Sequence, residues 1–243
     1  MPENDLIGGL VLIAYYVIVG LPMLLLKAFD KLSFEVARKM YHFAITLSIF
    51  PLLKAFSSWQ SAVLAAILFI VIVYPILLLI ENSGFYKRIA VERKTGEFKS
   101  SLIIAQLMIA SLIFVFWGVL GVEWQYIAVV AIMAWGFGDA AAALVGKSFG
   151  RNRIRHPRIK GTKTVEGALA MFVVAGLAIF LTLLIYAGQP WYVSILIAVL
   201  VAPISAVIEL FSNHGLDTVT VPITVAFSVL GLTSILSLVG VGV

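Results

Sequence analysis

The chain has no cysteine, and that removes a disulfide framework, a thiol nucleophile and a thiolate metal site together. It is also poor in charge. Only 12% of its 243 residues are Asp, Glu, Lys or Arg, against about 25% in soluble globular domains. The acidic residues number 12, too few to solvate a surface of this size. What fills the space is apolar: 62% of residues are hydrophobic and the mean hydropathy is +1.11. No water-soluble fold of this length buries that much apolar surface, so the solvent is lipid. The length allows one helical membrane domain, residues 1–243.

Apolar runs of roughly 17–25 residues are long enough to cross a bilayer. About eight are expected: Leu6 to Leu26, Met40 to Leu53, Gln60 to Ile80, Leu102 to Leu120, Tyr126 to Gly146, Gly167 to Tyr186, Trp191 to Phe211 and Thr220 to Val239. The fold expected is therefore an all-α polytopic bundle. The acidic stretch Met1 to Asp5 lacks the basic region of a cleaved signal, so the first run is expected as a retained span.

The few cations are concentrated. Of 17 Lys and Arg residues, four lie between Lys27 and Lys39, five between Lys87 and Lys99 and seven between Lys147 and Lys163; only Lys54 lies elsewhere. Eight spans put those three segments on one face. By the positive-inside rule that face is cytoplasmic and both termini are outside. The net charge of +5 then reflects topology and anionic headgroups, and excludes nucleic acid as the expected partner.

Four segments carry candidate chemistry. In residues 136–167, Asp139 lies within an apolar run among Gly136, Gly138 and four alanines. An ionisable residue inside a span is costly and points to function by default. The following loop, Lys147 to Gly167, brings seven cations, several glycines and the cluster Gly161-Thr162-Lys163-Thr164 directly before a helix. Cations neutralise phosphate, and the N–H groups of a helix start add to an anion site. Thr162 and Thr164 are both placed to cap that helix, with Glu166 in its first turn. Gly146-Lys147-Ser148 superficially resembles a P-loop. The glycine required five residues before Gly146 is Ala141, which rules out that motif.

The third segment, residues 209–222, contains Glu209, His214, Asp217 and Thr220 and lacks Lys and Arg although it shares the basic face. Mg2+ takes oxygen ligands and keeps substrate phosphates, so Asp139 and Asp217 are candidates for one metal site. A turn or capping role for Asp217 is equally open. The fourth is Glu35, Arg38, Lys39 and His42. Arg38 and His42 are four apart and share a helix face, suited to a headgroup or substrate phosphate; interface anchoring is the simpler role for Arg38 and Lys39.

Gly138-Asp139, Gly146-Lys147, Phe149-Gly150-Arg151, Lys163-Thr164 and Glu166-Gly167 together resemble the membrane CTP-transferase superfamily. That group includes phosphatidate cytidylyltransferases and the CTP-dependent kinases of dolichol, phytol and diacylglycerol. The distal stretch His214 to Pro222 lacks the second aspartate and the basic residue of the cytidylyltransferases. Its Asp-x-x-Thr-x-Pro form, and Arg38-Lys39 followed by His42, look more like the dolichol and phytol kinases. The resemblance implies an integral membrane kinase, at the plasma membrane in a prokaryote, with its site facing the cytoplasm. CTP would be the donor, with Mg2+ as cofactor, and a membrane isoprenoid alcohol such as dolichol or polyprenol the acceptor. It implies Lys147, Arg151, Lys160 and Lys163 on the triphosphate, Gly138, Gly150, Gly161, Gly167, Thr164 and Glu166 shaping the nucleotide segment, and Asp139 and Asp217 on the metal. Arg38, Lys39, Glu209, His214 and Thr220 would face the lipid or its headgroup, and Asp139, Asp217 or His42 would take the alcohol's proton. Phytol, geranylgeraniol or diacylglycerol kinases, a cytidylyltransferase and, outside enzymes, a transporter are the alternatives.

Overall fold

The computed structural model describes residues 3–92, 94–159, 162–213 and 215–240. Among them the protein is helical without any strand, and the chain divides into two compact units, Met1–Val122 and Glu123–Val243.

The first unit contains α1 (Glu3–Tyr15), α2 (Leu21–Ala28), α3 (Phe34–Leu47), α4 (Ile49–Lys54), α5 (Trp59–Ile80), α6 (Gly84–Ile89) and α7 (Glu97–Ile113). A π-helical turn over Tyr16–Gly20 joins α1 to α2. Pro22 explains the need for an adjustment there, because it has no N–H to continue an α-helical ladder. α5 packs along α7. Near their ends Ala37, Leu77, Tyr86, Val91 and Phe98 form a buried cluster.

The second unit contains α8 (Gln125–Phe149), α9 (Val165–Leu181), α10 (Trp191–Phe211) and α11 (Asp217–Leu238). α9 packs on α8 and on α10, α10 packs on α11, and α11 returns to α8. This closes a four-helix ring. Glycine lets α8 and α9 come close: a Cβ on Gly167 would lie 2.9 Å from the Ala142 carbonyl oxygen, and one on Gly138 2.5 Å from Met171 Sδ. Small residues at such contacts are how membrane helices gain van der Waals packing.

Seven helical stretches among the described residues are long and apolar enough to cross a membrane: Asn4–Ala28, Trp59–Ile80, Glu97–Val119, Val122–Phe149, Val165–Tyr186, Trp191–Phe211 and Asp217–Leu238. The expected span at Met40 to Leu53 differs. It falls across α3 and α4, which are separated at Ser48. Pro51 supplies the reason, since it gives no N–H to Leu47 and its ring crowds that carbonyl. The Ser48 backbone N–H and hydroxyl turn instead to the Ile45 carbonyl, at 3.2 and 2.7 Å. The polypeptide still runs helically from Phe34 to Lys54 apart from that residue.

Candidate active site

Three carboxylates meet at one end of the second unit. Asp139 comes from α8, Glu209 from the last turn of α10 and Asp217 from the first turn of α11. One oxygen of each lies within 4.8 Å of the others. Asp139 and Glu209 are buried, at 8% and 3% exposure, and Asp217 is half-buried. Asp139 is therefore level with two helix ends. α8 simply runs ten residues further, to Phe149, or roughly 15 Å at helical rise.

Asp217 also shapes its own turn, accepting the Thr218 backbone N–H at 3.0 Å. Thr220 Oγ1 contacts Ser212 Oγ at 2.6 Å and donates to the Leu216 carbonyl at 2.9 Å, which ties the α10–α11 connection together. Gly215 takes a left-handed φ of 82° in that connection, a conformation that favours glycine.

The segment between α8 and α9 forms a short hairpin. An isolated antiparallel bridge joins Arg153 to Thr164, with the Ile154 N–H donating to the Lys163 carbonyl at 3.0 Å and the Val165 N–H to the Asn152 carbonyl at 2.9 Å. Thr164 is the N-cap of α9, its hydroxyl accepting the Gly167 N–H at 3.1 Å. Glu166 reaches back instead: its carboxylate accepts from the Asn152 backbone N–H at 3.1 Å and from Asn152 Nδ2 at 2.8 Å. Gly150 is the tightest point. A Cβ there would stand 2.2 Å from the Gly146 carbonyl oxygen and 2.6 Å from Thr164 Cγ2, so only glycine passes. The far side of the hairpin leans on the end of α10. Asn213 Nδ2 donates to the Arg158 carbonyl at 3.0 Å, and the His156 and Phe211 rings meet edge-on at 5.6 Å.

This folding delivers Lys163 to the carboxylates. Its ammonium pairs with the Glu209 carboxylate and also donates to the Glu209 backbone carbonyl at 3.2 Å. Lys147, at the end of α8, and Arg151, Arg153, Arg155 and Arg158, on the segment that follows, are exposed. The structure thus brings together Asp139, Asp217, Lys163, Thr164, Glu166, Gly150 and Gly167. Glu209, expected toward the lipid, stands among the carboxylates and is the residue whose place sequence reasoning missed. Its signal was akin to that of Asp139: an acid within an expected span, here two residues from its end. Asn152 and Asn213, the tethers of the hairpin, carried no signal.

Arg38, Lys39 and His42 belong to the first unit, on α3. Arg38 pairs with Glu35 at 3.1 Å, Lys39 is 2% exposed and His42 is half-buried. Lys160, Gly161 and His214 lie outside the described residues.

The trio fits a hard divalent cation. All its donors are carboxylate oxygens, the ligand type Mg2+ and Ca2+ take, and Mg2+ in particular is held by one or two carboxylates plus substrate phosphates. Carboxylates this close need a neighbouring cation to stay ionised together.

No family model matches the chain, and no solved structure matches it. Among curated proteins, the dolichol kinase of Saccharomyces cerevisiae is 29% identical over 172 residues, covering 69% of this chain and 31% of that protein. The phytol kinase of Synechocystis is 37% identical over 94 residues, 39% of this chain and 38% of that protein. The matched regions span about a third of each relative's length. The long apolar helices support an integral membrane protein, and the two curated relatives it resembles are kinases of dolichol and phytol.

Proposed function

We propose that the protein is a CTP-dependent kinase that transfers the γ-phosphoryl group to a membrane isoprenoid alcohol, of the dolichol or polyprenol class, and releases CDP. The observation that carries this reading is the meeting of Asp139, Glu209 and Asp217 with Lys163 at the mouth of a cation-rich hairpin. Phosphoryl transfer needs little covalent chemistry from a protein. It needs the phosphates positioned and their charge neutralised. A bound Mg2+ would supply positive charge that neutralises the phosphates.

The chain's own residues do the rest. Asp139 and Asp217 hold the cation, with Glu209 as a third oxygen donor. Lys147, Arg151 and Lys163 hold the triphosphate, as does Lys160 on the same loop. Thr164 and Glu166 fix the hairpin that carries Arg151 and Lys163. The alcohol reaches the site sideways from the bilayer with its hydroxyl at the interface, and a carboxylate of the trio accepts its proton. The positive-inside rule supports a cytoplasmic face for that interface. An isoprenoid alcohol as acceptor is supported by the likeness to the two named kinases, and CTP as donor by the motif resemblance between Gly138 and Gly167.

The test uses purified full-length protein in detergent with Mg2+ and CTP labelled either at the γ-phosphate or in the cytidine. A polyprenol, phytol, diacylglycerol and phosphatidate are offered separately. The reading expects γ-label on the polyprenol and cytidine label left as CDP. Cytidine label entering lipid from phosphatidate would replace it with a cytidylyltransferase, and γ-label on phytol or diacylglycerol alone would move the acceptor.

A further inference from the structure

Lys163 reaches one member of the carboxylate trio. Its ammonium sits on the carboxylate of Glu209 and on the same residue's backbone carbonyl. Glu209 is 3% exposed and is itself one of the three carboxylates. The main chain is held at Lys163 and at the residue after it. Its carbonyl accepts from the Ile154 N–H, and the next residue caps α9. Movement is therefore left to the side chain, a compact charge on a flexible four-carbon stem.

A divalent cation entering the trio would meet that ammonium at close range. Two cations sharing Glu209 repel each other, and the lysine is the one that can leave. It leaves readily only if an anion lies within reach of its stem. A triphosphate bordered by the same hairpin is such an anion.

We infer that Lys163 is a resident counter-cation of the trio: it competes with the divalent metal for Glu209 and passes to the nucleotide's phosphates when the metal enters. This rests on the proposed reading of the site. Glu209 then has two tasks, as metal ligand and as the residue that parks Lys163 beside the incoming phosphates. One consequence is coupling. Metal alone binds weakly because it must displace an ion pair. Nucleotide supplies the displaced lysine with a partner, so each ligand tightens the other by the same factor.

The experiment measures Mn2+ binding by electron paramagnetic resonance on the full chain in detergent, for the wild type and Lys163→Met. Each is titrated without nucleotide and with a non-hydrolysable CTP analogue, against an analogue-only blank. Thermal melting checks that both proteins are folded. Without nucleotide, Lys163→Met should bind Mn2+ more tightly by about tenfold, the factor that about 1.4 kcal/mol represents. The wild type should gain at least that much when the analogue is added, and the variant should gain little. The coupling in the wild type stands as an independent reading if the variant melts early; its absence there overturns the inference. Unchanged or weaker Mn2+ binding by folded Lys163→Met also overturns it, and leaves Lys163 as a support for Glu209. No Mn2+ uptake by either protein, with or without analogue, overturns the metal reading of the trio and the inference with it.

Discussion

The two units use the same charged residues in opposite ways. In the first unit acids and bases settle as pairs of neighbours. Glu35 pairs with Arg38 at 3.1 Å, Glu81 with Lys99 at 2.6 Å, and Lys27 lies 3.9 Å from Asp30. Asp5 is spent on structure, accepting from the Ser57 N–H, the Ser57 hydroxyl and the Ser61 hydroxyl at 2.6–2.9 Å. In the second unit acids from three helices converge on one another, and Lys163 pairs with one of them, Glu209. A charge paired with its neighbour tells of anchoring and folding. Charges of one sign gathered from distant parts of the chain oppose folding and are kept together only by something else they do.

The contrast is broken most forcefully by Asp217→Asn. It leaves size and turn geometry nearly unchanged and removes one charge from the trio. γ-Phosphoryl transfer should fall about a hundredfold or more, the scale of losing one electrostatic contact to a transition state. The measurement is single-turnover transfer to a polyprenol, with membrane insertion and melting unchanged.

Next in size is Gly150→Ala. The new methyl meets a backbone carbonyl at 2.2 Å and cannot push it aside as it would a flexible side chain. A loss of about 1–3 kcal/mol in stability is expected, with weakened nucleotide binding, read by thermal melting and by CTP titration. Gly138→Ala makes the control. Its methyl meets the thioether of Met171 and the Ala175 methyl, contacts that adapt more easily, so its cost should be smaller.

Glu166→Gln loosens the hairpin without touching the trio. Its bonds to Asn152 are solvent-exposed, so only a modest rise in the KM for CTP, about twofold, is expected with kcat little changed. Steady-state kinetics separates the two. The smallest effect belongs to the first unit. Glu35→Gln breaks a part-exposed i,i+3 pair and should change stability by no more than about 0.5 kcal/mol and transfer not at all. A large loss of transfer in that variant would erase the distinction between the units.

How far the chain could be read from its residues follows the same division. Spans were legible because they are long and apolar, and Asp139 because a charge within one is costly. The N-cap at Thr164 was legible because capping is local, a hydroxyl and a helix start three residues apart. The break at Ser48 was missed although Pro51 stood in view, because hydropathy alone does not register a lost N–H. The partnership of Glu209 with Asp139 and Asp217 was not legible, because it depends on packing that brings two helix ends level with the interior of a third helix. The bridge between Arg153 and Thr164 was hidden too. An arginine-rich segment carries no alternating apolar pattern to announce pairing.

The central claim is that the trio in the second unit is a metal-dependent phosphoryl-transfer site. The most direct measurement follows γ-label from CTP to a polyprenol by the full-length protein as Mg2+ is removed with excess chelator and then restored. The account predicts that transfer stops on removal and returns on restoration. Transfer continuing at the same rate in chelator would contradict it.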